Sequence, residues 1–313
     1  MSEQQAQHEQ HADARPLRVA VDGGELIATL WRPDASGTPV VAIHGITANH
    51  RSFAHVAARL SAPVLAMDLR GRGGSRALPG PYGLEQHAED VAAAIAAAGF
   101  ARAIVVGHSM GAYVAVRLAA AHPELVEALV LIDGGVPLRP AADDVSPEDV
   151  LGPAIERLRR TFPSAEAYRD FWRQHPAFGP YWNEAIEEYV DYDLVDVDGA
   201  LRPSATPDAV IANLVELDGR GGYAEALQAL RVPMRLLRSP RGLFDEAPGL
   251  YDDEWLATWT SRLPELAVRD VEHTNHYTIL LGRGADAVLD AVSLAETGAG
   301  PAAPVAAAHR EGR

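Results

Sequence analysis

No cysteine and no lysine occur among the 313 residues. The first absence excludes a thiol nucleophile, disulfides and cysteine metal sites. The second leaves arginine to fill all 27 Lys+Arg positions, which removes Schiff-base and pyridoxal chemistry, a Walker lysine and a Ser–Lys dyad. No apolar run reaches the length of a membrane span. With a formal net charge of −16, nucleic acid is not an expected partner. The polar, His/Gln-rich start from Met1 to Arg15 lacks the apolar stretch of a secretory signal, so a cytoplasmic location is expected. Residues 1–15 and the Ala/Gly/Pro-rich residues 298–313 read as disordered tails.

The hydrophobic content of 48% is enough for a substantial core, and its spacing gives the fold class. Leu17–Val21 and Leu26–Trp31 flank Asp22-Gly23-Gly24, a hairpin signal. Residues 39–44, Val64–Met67 and Leu125–Ile132 are short continuous apolar runs, as in strands buried on both faces. Helical patterns at His50–Leu60 and Leu84–Ala97 alternate with them. Such alternation predicts a mostly parallel, doubly wound α/β sheet. The rhythm breaks at Val136 and returns at Met234–Ser239 and Leu266–Val271, followed by a last helix from about Gly284 to Glu296. Aromatics form only 6% of the chain, yet they crowd between Phe162 and Tyr192 in charged helical segments with no clear buried strand. We expect residues 137–230 to form a helical cap over the carboxyl ends of the strands, where open α/β sheets bind ligands. The core would then be residues 16–136 and 231–297.

Residues 102–122 carry the sharpest signal. An apolar run from Ala103 to Val106 stops at Gly107, followed by His108, Ser109, Met110 and Gly111. An Ala/Val/Leu-rich helical run follows, which Pro123 closes. Strand, tight turn and helix are the required context of a G-x-S-x-G nucleophile elbow. Glycines on both sides of Ser109 allow a turn that side chains would obstruct. The helix that follows aims free N–H groups at a developing oxyanion.

A serine hydroxyl needs a base, and the base needs an orienting group. In this architecture the order is Ser, acid, His, and of twelve histidines only His273 and His276 follow suitably. His276 is preferred because it lies in the loop before the last helix. For the acid, Asp245 in PRGLFDE is preferred, with Asp133 as the alternative; Asp133 could also serve turn formation before Gly134-Gly135. The oxyanion donors are expected from the N–H groups of Met110 and Ile46, in the loop after strand 39–44. Substrate contacts are expected from His44, Gly45, Thr47, His108 and Tyr277, together with Phe171, Trp172, Tyr181 and Trp182 of the cap.

These residues resemble those of the α/β-hydrolase superfamily, in particular its capped, lipase/esterase-like members. The ordered motifs are IHGIT (43–47), MDLRGRGGS (67–75), GHSMGA (107–112), LVLIDGG (129–135) and TNHYT (274–278). The resemblance implies an α/β-hydrolase fold with the cap inserted after strand 6 and selectivity carried by that cap. It also implies no cofactor, and a position at Asp133 that some members use as the acid. Arg70-Gly71-Arg72-Gly73-Gly74 then reads as an ordinary loop rather than a phosphate cradle. No metal is expected, since the histidine groupings lack cysteine and the H-E-x-x-H pattern. Asp191, Asp193, Asp196 and Asp198 read as a solvated acidic loop. The expected activity is cleavage of a carboxylic ester or lactone in a small-molecule acyl substrate. Alternatives on the same triad are a carbon–carbon bond hydrolase or a perhydrolase. A non-catalytic small-molecule receptor of the same fold is the alternative outside enzymes.

Overall fold

The structure, a computed structural model, describes residues 13–140 and 152–298. The expected tails, apart from residues 13–15 and 298, lie outside the described residues, as does part of the expected cap. The chain opens with a hairpin, β1 (Ala14–Val21) and β2 (Gly24–Trp31), followed by β3 (Val40–Ile43). Residues 14 and 15 are therefore paired in a strand rather than part of a tail. A 3₁₀ turn at His50–Phe53 leads into α1 (Ala54–Arg59), then β4 (Val64–Met67), α2 (Leu84–Ala97), β5 (Ala103–His108), α3 (Met110–Ala121) and β6 (Val126–Ile132). Between β6 and the next strand of this sheet come α4 (Gly152–Arg159), α5 (Ala165–Arg173), α6 (Glu184–Asp193), β7 (Leu194–Val197), β8 (Ala200–Pro203), α7 (Pro207–Leu214) and α8 (Tyr223–Ala229). The chain closes with β9 (Met234–Arg238), α9 (Asp253–Thr260), β10 (Leu266–Asp270), α10 (Thr278–Leu281) and α11 (Ala285–Glu296).

Eight strands form one sheet in the order β1-β2-β4-β3-β5-β6-β9-β10. Pairing is antiparallel for β1–β2 and β2–β4 and parallel elsewhere. The β3 and β5 runs divide their side chains between two cores: Val41, Ile43, Ala103 and Val105 on one face, Val40, Ala42, Ile104 and Val106 on the other. Burial on both faces is why these strands read as continuous apolar runs.

The segment between β6 and β9 contains strands that its composition did not suggest. β7 and β8 pair antiparallel, apart from the large sheet. Asp198 and Gly199 turn between them, both at positive φ (55° and 78°). Asp-Gly between alternating apolar residues is a short-range hairpin signal, here obscured by the surrounding acidic residues. Nor is that stretch a solvated loop. Asp193 is buried and paired with Arg157 at 3.0 Å, Asp191 meets Arg169 at 2.6 Å, and Asp196 accepts the Gly199 N–H.

Two buried polar centres hold the loops above the sheet. Arg70 forks onto Asp90 of α2 with two bonds of 2.6 and 2.7 Å and also donates to the Pro79 and Asp22 carbonyls. Asp68 accepts from the backbone and ring of His50, from the Gly74 N–H, and from Tyr192 in α6. Although burial opposes its charge, the His50 contacts hold its carboxyl down to about 2. Removing one member of a buried pair strands the other, at a cost of about 3–5 kcal/mol. Arg70→Met is accordingly expected to lower the unfolding free energy by that amount, read from urea melts. A loss below about 1 kcal/mol would show that Asp90 finds other partners.

Candidate active site

Sheet register brings the site together. Ile43 pairs with Gly107 and His108 with Ile132, so the ends of β3, β5 and β6 finish side by side. Ser109 and Asp133 are the next residues along β5 and β6. Their N–H groups continue the ladder, to Ile132 O at 2.9 Å and Leu237 O at 2.8 Å.

Ser109 stands at φ 53°, ψ −124°, a strained conformation for a residue with a side chain. Packing enforces it. A Cβ on Gly107 would strike the backbone of Gly111 and Ala112, and one on Gly111 the Ile43 carbonyl. A Cβ on Gly134 would strike the Ser109 carbonyl from the β6 side. Ser109 is partly exposed while its neighbours His108 and Met110 are buried, so the turn lifts the hydroxyl out of the core.

The imidazole of His276 is buried, and its Nδ1 lies 2.7 Å from Asp133 Oδ2. The other carboxylate oxygen accepts the Ser239 N–H at 3.2 Å. Nδ1 is thus the protonated nitrogen, and Nε2 carries the lone pair of a base. His276 and Ser109 line the same cavity. Among the described residues no hydrogen bond joins the serine hydroxyl to the imidazole.

Asp245, the preferred acid, does not reach the imidazole. Its carboxylate accepts from Tyr181, from Arg241 at 2.9 Å, and from Asn275 at 3.0 Å, one residue short of His276. The loop after β9 turns toward Tyr181, whereas Asp133 directly follows β6, the strand paired with β5. Chain order could not separate the two acids; strand adjacency does.

The backbone after β3 faces the serine. His44 Nε2 accepts the Leu69 N–H, which leaves its Nδ1–H to hold the Gly45 carbonyl at 2.8 Å. In a trans peptide the N–H of Ile46 then points the opposite way. Arg72 Nε holds the Ile46 carbonyl at 3.1 Å. Among the described residues no backbone hydrogen bond uses the N–H of Ile46 or Met110.

A family model described as the alpha/beta hydrolase fold matches residues 38–197. A 2-(acetamidomethylene)succinate hydrolase of Mesorhizobium japonicum is 31% identical over 263 residues, 82% of this chain and 87% of that protein. The chain belongs to the α/β hydrolase fold family. A serine hydrolase-like protein of Danio rerio is 25% identical over 84% of both chains. The crystal structure of an E-2-(acetamidomethylene)succinate hydrolase superposes with a TM-score of 0.73 at 25% identity, over 90% of this chain and 98% of that one.

In this hydrolase a cavity of about 400 Å³ opens above Ser109. Of the expected contacts, Gly45, Thr47, His108, Phe171, Trp172 and Tyr277 line it, with Ile46. His44, Tyr181 and Trp182 do not. His44 is fully buried behind the Gly45 peptide, Tyr181 bonds Asp245, and Trp182 bonds Glu187 at 3.1 Å. Of the aromatics crowded between Phe162 and Tyr192, Phe162, Tyr168 and Phe178 pack internally, with Ile186. Arg157, His175, Tyr189 and Phe244 line the cavity without having been expected there.

Arg72 carries no sequence signal beyond its glycine-rich loop. It is buried, and its guanidinium reaches no carboxylate within ion-pair distance among the described residues. It donates instead to carbonyls of Ile46, Arg70 and Ala209 and to Asn213 Oδ1 at 2.7 Å. Burial pulls its pKa down to about 9. The same burial keeps nearby imidazoles neutral: His44 falls to about 4 and His108 to about 3. His87 is also held well below the usual range, by burial and then by Arg72.

An unfolded histidine binds its proton near pH 6.5, so below that value the unfolded chain takes up protons that these folded sites refuse. Stability is then expected to fall as pH drops from about 6.5 toward about 4, by about 1.4 kcal/mol per pH unit for each of these buried histidines at most. Urea midpoints between pH 7.5 and 4.5 measure this. A flat profile would show that the folded sites accept the protons.

Proposed function

We propose that the protein is a cofactor-independent serine hydrolase that cleaves a carboxylic ester or lactone through an acyl-enzyme. The observation that carries this is the 2.7 Å contact between His276 and Asp133, on a cavity shared with a strained, glycine-flanked Ser109.

Ser109 Oγ attacks the carbonyl carbon while its proton passes to His276 Nε2. Asp133 holds the imidazole and balances its charged form. The N–H groups of Ile46 and Met110 receive the oxyanion, each donor contributing about 3 kcal/mol to the transition state. Collapse expels the alkoxide, which takes the proton from His276. Water then repeats the sequence: its proton goes to His276, the carboxylic acid leaves, and Ser109 regains its proton. The segment between β6 and β9 acts as the cap that shapes the acyl site.

A second reading, cleavage of an amide-like bond on the same groups, is favoured by one observation. The Mesorhizobium japonicum relative is named for a substrate that carries an acetamido group. Product analysis on matched esters, lactones and amides separates the two.

Ser109→Ala is expected to abolish p-nitrophenyl ester cleavage and fluorophosphonate labelling while leaving the melting curve in place. Full turnover by this variant would refute the assignment of the nucleophile. Asp133→Asn is expected to lower kcat by about 10⁴, and Asp245→Asn by far less, since it touches only Asn275 of the histidine loop. The opposite ranking would restore Asp245 as the acid.

A further inference from the structure

The cavity wall on α4 and α6 holds hydrogen-bond donors that no described residue accepts from. Arg157 of α4 is 4% exposed. Only its Nη1 finds partners among the described residues, Tyr168 at 2.7 Å and Asp193 at 3.0 Å. Asp193 is fully engaged, since its other oxygen accepts from the backbone and hydroxyl of Ser204. Among the described residues, Nε and Nη2 of Arg157 are therefore unpaired on a residue that lines the cavity. Tyr189 is equally buried, at 4%, and no hydrogen bond uses its hydroxyl among the described residues; the same holds for Tyr277. His175 Nδ1 accepts the Ala177 N–H at 3.3 Å, so its proton sits on Nε2, which has no partner among the described residues. All four residues line the same cavity.

A few polar groups that converge on an otherwise apolar cavity are what orients a small-molecule ligand. Arg157 gives Nη1 to Asp193, while its Nε and Nη2 and the three neutral donors make no hydrogen bond to a carboxylate among the described residues. One turn on, Arg160 lies over Phe171 at 5.2 Å and meets no carboxylate among the described residues. The acid on the lining, Glu156, is exposed and so is screened by solvent. The rest of the wall is largely apolar, with Phe171, Trp172 and Leu281.

We infer that this donor cluster is a subsite for a carboxylate, so that the substrate is an anionic acyl compound, held at its charged end by Arg157 with Tyr189, Tyr277 and His175. The inference rests on the serine-hydrolase reading for the reaction but not for the binding. A planar guanidinium fork matches a carboxylate in shape as well as in charge. The subsite and Ser109 line one cavity, whose remaining wall is largely apolar.

Two measurements test it. The wild-type protein is expected to hydrolyse mono-p-nitrophenyl glutarate with a kcat/KM at least about tenfold above that for p-nitrophenyl valerate, its uncharged counterpart. Arg157→Gln should reduce that ratio by about tenfold to a hundredfold, the range for losing hydrogen bonds to a charged group. Because Arg157→Gln leaves Asp193 buried, Tyr189→Phe and Tyr277→Phe provide variants that lose only a hydroxyl, and each should lower the ratio. The second measurement needs no turnover. Glutarate or adipate should raise the melting temperature of the Ser109→Ala protein, pentanediol should not, and the shift should shrink in the Tyr189→Phe background. A wild-type ratio at or below one overturns the subsite, as does the absence of any dicarboxylate shift. Dicarboxylate binding without Ser109 labelling would keep the subsite and remove the hydrolase reading instead.

Discussion

The turn at Ser109 is the constraint that the rest of the molecule is built to satisfy. A residue with a side chain is held at φ 53° because three strand ends and a helix leave it no other room. Gly107 and Gly111 let β5, α3 and the Ile43 carbonyl approach within the space of a missing Cβ, and Gly134 does the same from β6. Backbone strain of this kind costs on the order of 1–3 kcal/mol and persists only where the surroundings over-determine it. The cores on the two faces of the sheet supply that rigidity.

Electrostatics around the turn follow from burial without lysine. Arg70 meets a carboxylate, whereas Arg72 is satisfied by carbonyls and an amide, a task suited to a guanidinium with five donors in a fixed fork. Because Arg72 reaches both Ile46 and Asn213, the loop after β3 and helix α7 share one anchor. Tyr192 on Asp68 forms a second tie between the core loops and the segment inserted before β9. Neutral His44 and His108 act as fixed hydrogen-bond donors there. His44 sets the Gly45 peptide and His108 holds the His276 carbonyl at 2.8 Å, so neither needs to change charge for the site to keep its shape.

Much of the frame was legible in the amino-acid sequence, for local reasons. Val64–Met67 and Leu84–Ala97 coincide with β4 and α2 residue for residue, because apolar periodicity and flanking glycine speak directly about short stretches. The elbow was legible because its glycines encode a backbone need at fixed spacing. The segment between β6 and β9 was less so. Its acidic run concealed the β7–β8 hairpin, and Asp193, which reads as a surface residue, is neutralised by Arg157 from 36 residues earlier in the chain.

The sequence by itself determined the fold class, the serine at the turn and the histidine near the carboxyl end, since each is written in contiguous residues. Only the tertiary structure decided which carboxylate meets that histidine. Asp133 and Asp245 both follow strands, and the difference is that β6 pairs with β5 while the loop after β9 turns toward Tyr181. It also decided which residues between β6 and β9 face the cavity and which pack among themselves. A helix face is chosen by its neighbours, and those neighbours are distant in sequence.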